Sequence, residues 1–118
     1  MEKVYSRPES LDISNNKFCP GCMHSTFIKI CMQVIDELGI GDRAVVIQPI
    51  GCANNSSPCI AIDQGCALHG RAPAYATGLK RCHPDSIVFT YQGDGDLSSI
   101  GFAEVMHAAN RGKNICVF

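Results

Sequence analysis

No stretch of this chain approaches the roughly 18 apolar residues that a membrane span requires. No run of lysine or arginine offers a footprint for nucleic acid or for an anionic membrane surface, and the net charge is only −1. Met1-Glu2-Lys3 leads into a polar segment containing Pro8, without the apolar core of an export signal. The chain is therefore expected to stay in the cytoplasm and to bind neither nucleic acid nor membrane. It also lacks internal repeats and low-complexity segments, which removes solenoids and linkers. What is present is 118 residues, 46% of them hydrophobic, enough for one domain with a real core. Eight cysteines without an export signal read as thiols or metal ligands, because a reducing compartment disfavours disulfides.

Residues 1–17 are polar and are expected to run extended over the surface or over a partner, carrying no chemistry. From about Ser25 the residues Phe27, Cys31, Val34, Ile35 and Leu38 recur at helical spacing until Gly39. Residues 44–50 contain consecutive Val45, Val46 and Ile47, as in a strand buried on both faces, and Pro49 favours its end. Residues 51–69 have no clear period and form a long loop, a kind usually tied to function. Residues 70–82 read as a helix of small residues closed by Pro84. A strand follows over 86–91, then a helix over 97–110 with Ile100, Ala103 and Met106 or His107 on one side, then a strand from Asn114. Alternating strands and helices imply an α/β fold, a parallel sheet with flanking helices. The apolar run Ile115-Cys116-Val117-Phe118 breaks off as if inside a buried strand, so the fold is expected to be incomplete at its C-terminus.

The chain is organised around Gly93-Asp94-Gly95-Asp96, an acidic turn between the apolar run Ile87–Tyr91 and a helical pattern. At the carboxyl end of a parallel strand such a turn lies where open α/β sheets bind ligands. Two carboxylates there would repel a bare phosphate. A divalent cation resolves the conflict, since Mg²⁺ takes one or two carboxylates together with phosphate oxygens. The turn thus points to a metal-bridged diphosphate, and its glycines are expected to allow positive φ and close approach.

Cys19 and Cys22 have the two-residue gap that lets both thiolates face one metal or iron–sulfur cluster. A redox pair would follow a strand, and none is indicated before Phe18. Cys52, Cys59 and Cys66 are the candidates for completing such a site, including a structural zinc site. Cys31, Cys82 and Cys116 fall in helix or strand patterns and read as small buried hydrophobes. His24, His83 and His107 carry no functional signal. His69, at the start of a helix after the long loop, is placed to reach a bound anion, whereas Arg71 can as easily face solvent.

Cys19-Pro20-Gly21-Cys22, Pro49-Ile50-Gly51-Cys52, Leu68-His69-Gly70-Arg71-Ala72-Pro73, Ala76-Thr77-Gly78 and Phe89-Thr90-Tyr91-Gln92-Gly93-Asp94-Gly95-Asp96 follow one another along the chain. Together these segments resemble the thiamine-diphosphate-binding β subunit of 2-oxoacid:ferredoxin oxidoreductases. Glu104, His107-Ala108-Ala109 and Arg111-Gly112 continue the match toward Phe118. The resemblance implies a thiamine-diphosphate-binding domain over 1–118, namely the diphosphate side of the cofactor site. It implies Asp94 as the Mg²⁺ ligand, with Gly95 and Asp96 beside the diphosphate, and contacts to the cofactor from Ile50, Gly51, Cys52, Ala53 and His69. It further implies Cys19, Cys22 and Cys52 as three ligands of a four-iron, four-sulfur (4Fe-4S) cluster, the fourth ligand and the remaining Mg²⁺ ligands lying outside the chain. The implied reaction decarboxylates a 2-oxoacid oxidatively to an acyl-coenzyme A and passes electrons through the cluster to ferredoxin. An α subunit carrying the pyrimidine-binding part is the implied partner, and the catalytic glutamate belongs to it, so no general base is assigned here. Phe89-Thr90-Tyr91-Gln92 looks more like the branched-chain or 2-oxoglutarate relatives than the pyruvate ones. Alone, the chain is expected to be inactive; the competing reading is a small protein whose cysteines hold zinc.

Overall fold

The protein, seen in a computed structural model, is described over residues 4–12 and 14–118. Helix α1 (Met23–Leu38) ends where Gly39 takes a left-handed conformation, φ 62°, and its N–H returns to the Asp36 and Ile35 carbonyls. Strand β1 (Ala44–Gln48) leads through a 3₁₀ helix (Cys52–Cys59) to β2 (Asp63–Cys66). Then follow α2 (Ala72–Cys82), β3 (Ile87–Thr90), a wide π-type turn (Gly95–Ile100), α3 (Phe102–Asn110) and β4 (Cys116–Val117). The strands form one parallel sheet in the order β2-β1-β3-β4.

Alternation along the two central strands divides the core. Ala44, Val46, Phe89 and Tyr91 meet Ile28, Met32 and Ile35 of α1 on one face, while Ile47 and Val88 meet Ala72 and Ala76 of α2 on the other. The small residues of α2 let it lie close to the sheet, as their pattern suggests.

Four expectations need correction. The buried stripe of α1 runs through Ile28, Met32 and Ile35, whereas Val34 and Leu38 are exposed and Phe27 and Cys31 only partly buried. Apolar residues flank the stripe on both sides, so the period fixes the helix but not the centre of its inner face. The long loop holds both the 3₁₀ helix and β2. That strand is polar because it lies at the sheet edge and is held by backbone pairing, Val45 opposite Asp63 through Gln48 opposite Cys66. On α3 only Ala108 is buried, while Ile100 and Met106 are about half exposed. The π-type turn adds a residue to the helical path, and one residue rotates everything after it by roughly 100°. Finally, β4 pairs with β3 among the described residues, and Cys116, Val117 and Phe118 are exposed in this span of the chain.

The N-terminal segment is partly structural. Leu11 is buried and bridges Ile60 in antiparallel fashion, and the Asp36 carboxylate accepts the N–H groups of Glu9 and Ser10 and the Ser10 hydroxyl. Residues 1–3 and 13 lie outside the described residues. Among those described, no helix is long and apolar enough to cross a membrane.

Candidate functional site

From β1 the chain moves to β2 on one side, and from β3 it moves to β4 on the other. The loops leaving the carboxyl ends of β1 and β3 therefore part, and a crevice at such a switch point is where open parallel sheets take ligands. On the β1 side it is bordered by Pro49, Ile50, Gly51, Cys52 and Ala53. Gly51 has φ 138° and ψ −169°, a conformation open essentially only to glycine. On the β3 side lies the acidic turn. Gln48, the last residue of β1, is 1% exposed, and neither atom of its amide finds a hydrogen-bond partner among the described residues. A buried amide left that way costs roughly 2 kcal/mol or more, so a polar group is wanted beside this crevice.

The two acidic residues of the turn have opposite environments. Asp94 is exposed, and among the described residues no side-chain hydrogen bond holds its carboxylate. Gly93 and Gly95 flank it, and a Cβ on either would meet no described atom within 4 Å beyond its chain neighbours and the turn's own backbone. Neither uses positive φ, contrary to the expectation from sequence. Nothing inside the chain therefore demands glycine at these two places. The space they leave is open to a ligand, and a lone exposed carboxylate beside it suits Mg²⁺ that also takes phosphate oxygens.

Asp96, in contrast, is 2% exposed and its carboxylate turns inward. Oδ1 accepts His69 Nδ1 at 2.7 Å and the Gly70 N–H, and Oδ2 accepts the Gln92 side-chain amide. Gln92 in turn accepts the Thr90 hydroxyl at 2.8 Å. Asp96 is thus the hub of a network joining β3, the acidic turn and the turn before α2. The same junction brings two backbones into contact. A Cβ on Gly101 would lie 2.1 Å from the Asp96 carbonyl oxygen and 3.0 Å from Gly70 Cα, and Gly70 itself has φ 77°. Neither Gly101 nor the network is marked by any period or motif of composition, because both arise from a crossing of distant segments. Arg71, largely exposed, pairs with Glu104 on α3.

On the opposite face, Cys22 precedes α1 and Cys52 opens the 3₁₀ helix that packs against it. Cys19 and Cys52 are exposed and Cys22 half-buried. Among the described residues no three His, Cys, Asp or Glu side chains gather closely enough to hold a metal. The structural-zinc reading finds no support here. Cys59 is buried, and desolvation pushes its thiol pKa up, as it does for Cys31. Cys82 and Cys116, read from sequence as buried, are exposed.

The cysteine turn is tied to the end of β3 by aromatic residues. His24 stacks on Phe18 with centroids 5.2 Å apart, its Nδ1 meets the Tyr91 hydroxyl, and Phe27 stacks on Tyr91 at 4.6 Å. Burial first, then the nearby Cys22 and Cys31, push the Tyr91 pKa up to about 12. A phenol whose folded pKa lies above its unfolded value near 10 stabilises the fold fully below that value, and this stability is lost as pH rises from 10 through about 12. Ultraviolet titration of phenolate should therefore show a late transition that Tyr91→Phe removes. Persistence of that late transition in Tyr91→Phe, or its absence from wild type, would contradict the burial.

Fold, switch-point crevice and open acidic turn define a diphosphate-binding α/β domain, and the chain belongs to the family described as thiamine pyrophosphate enzyme, C-terminal TPP binding domain, which residues 39–118 match. Its relatives are subunits of 2-oxoacid:ferredoxin oxidoreductases, as the motifs indicated. It is 42% identical to a ketoisovalerate oxidoreductase subunit of Methanothermobacter thermautotrophicus over 99% of this chain and 27% of that protein. It is 36% identical to a 2-oxoacid:ferredoxin oxidoreductase subunit beta of Sulfolobus over 86% of this chain and 34% of that one. Among solved structures, the 2-oxoglutarate:ferredoxin oxidoreductase of Magnetococcus marinus, with 2-oxoglutarate, coenzyme A and succinyl-CoA bound, superposes with a TM-score of 0.88 at 31% identity. That match covers 97% of this chain and 40% of the other. The chain thus spans about a quarter to a third of the length of these curated relatives.

Proposed function

We propose that this chain supplies the diphosphate side of the thiamine diphosphate site in the β subunit of a cytoplasmic 2-oxoacid:ferredoxin oxidoreductase. The observation that carries the reading is the exposed Asp94 at the switch point, set between two glycines whose missing side chains leave open space. Asp94 would hold Mg²⁺, and Ile50, Gly51, Cys52, Ala53, His69, Gly95 and the backbone at Asp96 would border the cofactor. Bound there, thiamine diphosphate supplies the electron sink on which a 2-oxoacid loses carbon dioxide. The chain's own contribution is to fix the diphosphate by a carboxylate-held cation and to orient the ring from the ends of two rigid strands.

Cys19, Cys22 and Cys52 are the proposed thiolate ligands of the 4Fe-4S cluster. They are right in kind for iron but are not gathered in this structure, so their assignment rests on the family motifs. One carboxylate and three thiols complete neither an octahedral Mg²⁺ site nor a four-ligand cluster. The remaining ligands, together with the α subunit's pyrimidine-binding part, must come from elsewhere in the assembled enzyme. Ferredoxin, coenzyme A and a 2-oxoacid are the proposed partners, with a branched-chain or 2-oxoglutarate-type substrate favoured by the names of the relatives.

Gly95→Ala tests the crevice without testing the fold. Among the described residues, no atom beyond the neighbouring residues and the turn's own backbone lies within 4 Å of the new methyl, and φ is not positive, so thermal stability should stay within about 1 kcal/mol. Calorimetric titration with thiamine diphosphate and Mg²⁺ should nevertheless show at least roughly tenfold weaker binding, because the methyl enters the space assigned to the ligand. Unchanged affinity would move the diphosphate away from this turn.

A further inference from the structure

Asp96 belongs to the acidic turn, yet its carboxylate is buried and all its hydrogen bonds run within the chain. A carboxylate can only accept, so the His69 nitrogen 2.7 Å away, Nδ1, must carry the proton. The neutral ring then has its lone pair on Nε2. The His69 side chain is 47% exposed, and its turn lies against the acidic turn through the close approach of Gly70 to Gly101. The orientation of this exposed imidazole is therefore set from beneath by a residue that is itself locked. Gln92 holds the other oxygen of Asp96, and Thr90 on the central strand β3 holds Gln92.

We infer that Asp96 is a positioning residue acting through His69: its carboxylate fixes the imidazole's tautomer and direction so that Nε2 faces the thiamine diphosphate site, and that carboxylate contacts neither the diphosphate nor Mg²⁺. This rests on the cofactor reading above. It divides the turn's two carboxylates between an outward metal ligand, Asp94, and an inward support, Asp96. The Thr90–Gln92–Asp96–His69 chain then makes the histidine an extension of the sheet rather than a loop residue free to turn, which is how outer hydrogen-bond partners typically tune a site.

Substitution separates this role from direct ligation. In Asp96→Asn the amide oxygen can still accept from His69 Nδ1 and the Gly70 N–H, while the new NH₂ meets Gln92, whose amide can turn over and donate to Thr90 instead. The geometry survives and only the charge is lost. Asp96→Asn should bind thiamine diphosphate with Mg²⁺ within about threefold of wild type, whereas Asp96→Ala and His69→Ala should each lose roughly tenfold or more. Adding Asp96→Ala to His69→Ala should cost little further, because the histidine through which Asp96 acts is already gone.

The measurements are calorimetry on the anaerobically isolated protein with any copurifying subunits, and ¹⁵N NMR of the histidine rings without cofactor. In neutral His69 the wild type and Asp96→Asn should show a protonated Nδ1 and an unprotonated Nε2. The inference is overturned if Nε2 carries the proton, if Asp96→Asn binds as poorly as Asp96→Ala, or if the losses at Asp96 and His69 simply add, as for a merely structural carboxylate. Should Asp96→Ala fail to fold, Asp96→Asn and His69→Ala decide the matter, and wild-type-like binding by His69→Ala overturns it. Failure of the wild type to bind cofactor, with the Nδ1–H tautomer intact, would instead overturn the cofactor reading and the inference with it.

Discussion

Asp94→Ala is expected to lower the affinity for thiamine diphosphate with Mg²⁺ by at least about 100-fold, since even residues that only orient metal ligands are worth roughly 10- to 100-fold. The physical case is direct. The exposed Asp94 is the one acidic side chain of the turn that faces outward, and the cation it would hold is what makes a diphosphate tolerable beside it. Folding should be unaffected, because Asp94 makes no side-chain cap bond to the turn and its side chain is exposed. Calorimetric titration of wild type and variant settles it: binding by the first and none by the second places the cation on Asp94. Equal titration curves would remove Asp94 from the site and, with it, the reason for two glycines at its sides.

Gly101→Ala is expected to have the largest effect on stability, on the order of 3 kcal/mol or more, because overpacking against backbone leaves nothing flexible to yield. The new Cβ would sit 2.1 Å from the Asp96 carbonyl oxygen and 3.0 Å from Gly70 Cα and the Gly70 carbonyl oxygen. To admit it, the π-type turn must open at the Asp96 carbonyl and also part from the His69-Gly70 turn, which disturbs the Asp96 network as well. A denaturation series should show a melting temperature lower by roughly 10 °C or more. Cofactor affinity should fall in the molecules that remain folded. A variant as stable as wild type would mean that these segments do not cross as closely as described. The contrast with Gly95→Ala is informative: one glycine makes room for the protein's own backbone, the other for a ligand.

The sequence by itself determined the α/β class, the bounds of α1, β1, α2 and β3 to within a few residues, and the place of the acidic turn between β3 and the helical path that follows it. It did so because buried strands, helix ends and a Gly-Asp-Gly-Asp turn leave local signatures: consecutive β-branched residues at Val45 to Ile47, the left-handed stop at Gly39, the apolar run before Gln92. The family too was legible in its motifs, and residues 39–118 bear it out. The tertiary structure alone decided the rest. Strand β2 has no apolar pattern to betray it, since an edge strand is held by backbone hydrogen bonds, yet its place beside β1 is what creates the switch point. The π-type turn left no mark on the helical period, yet it rotates α3 and buries Asp96. Two aspartates that stand side by side in one motif, Asp94 and Asp96, have opposite environments because the crossing of Gly70 and Gly101 brings His69 to one and leaves open space by the other. Periodicity reports what each residue does to its own segment, whereas a role that depends on two segments meeting exists only once the chain has folded.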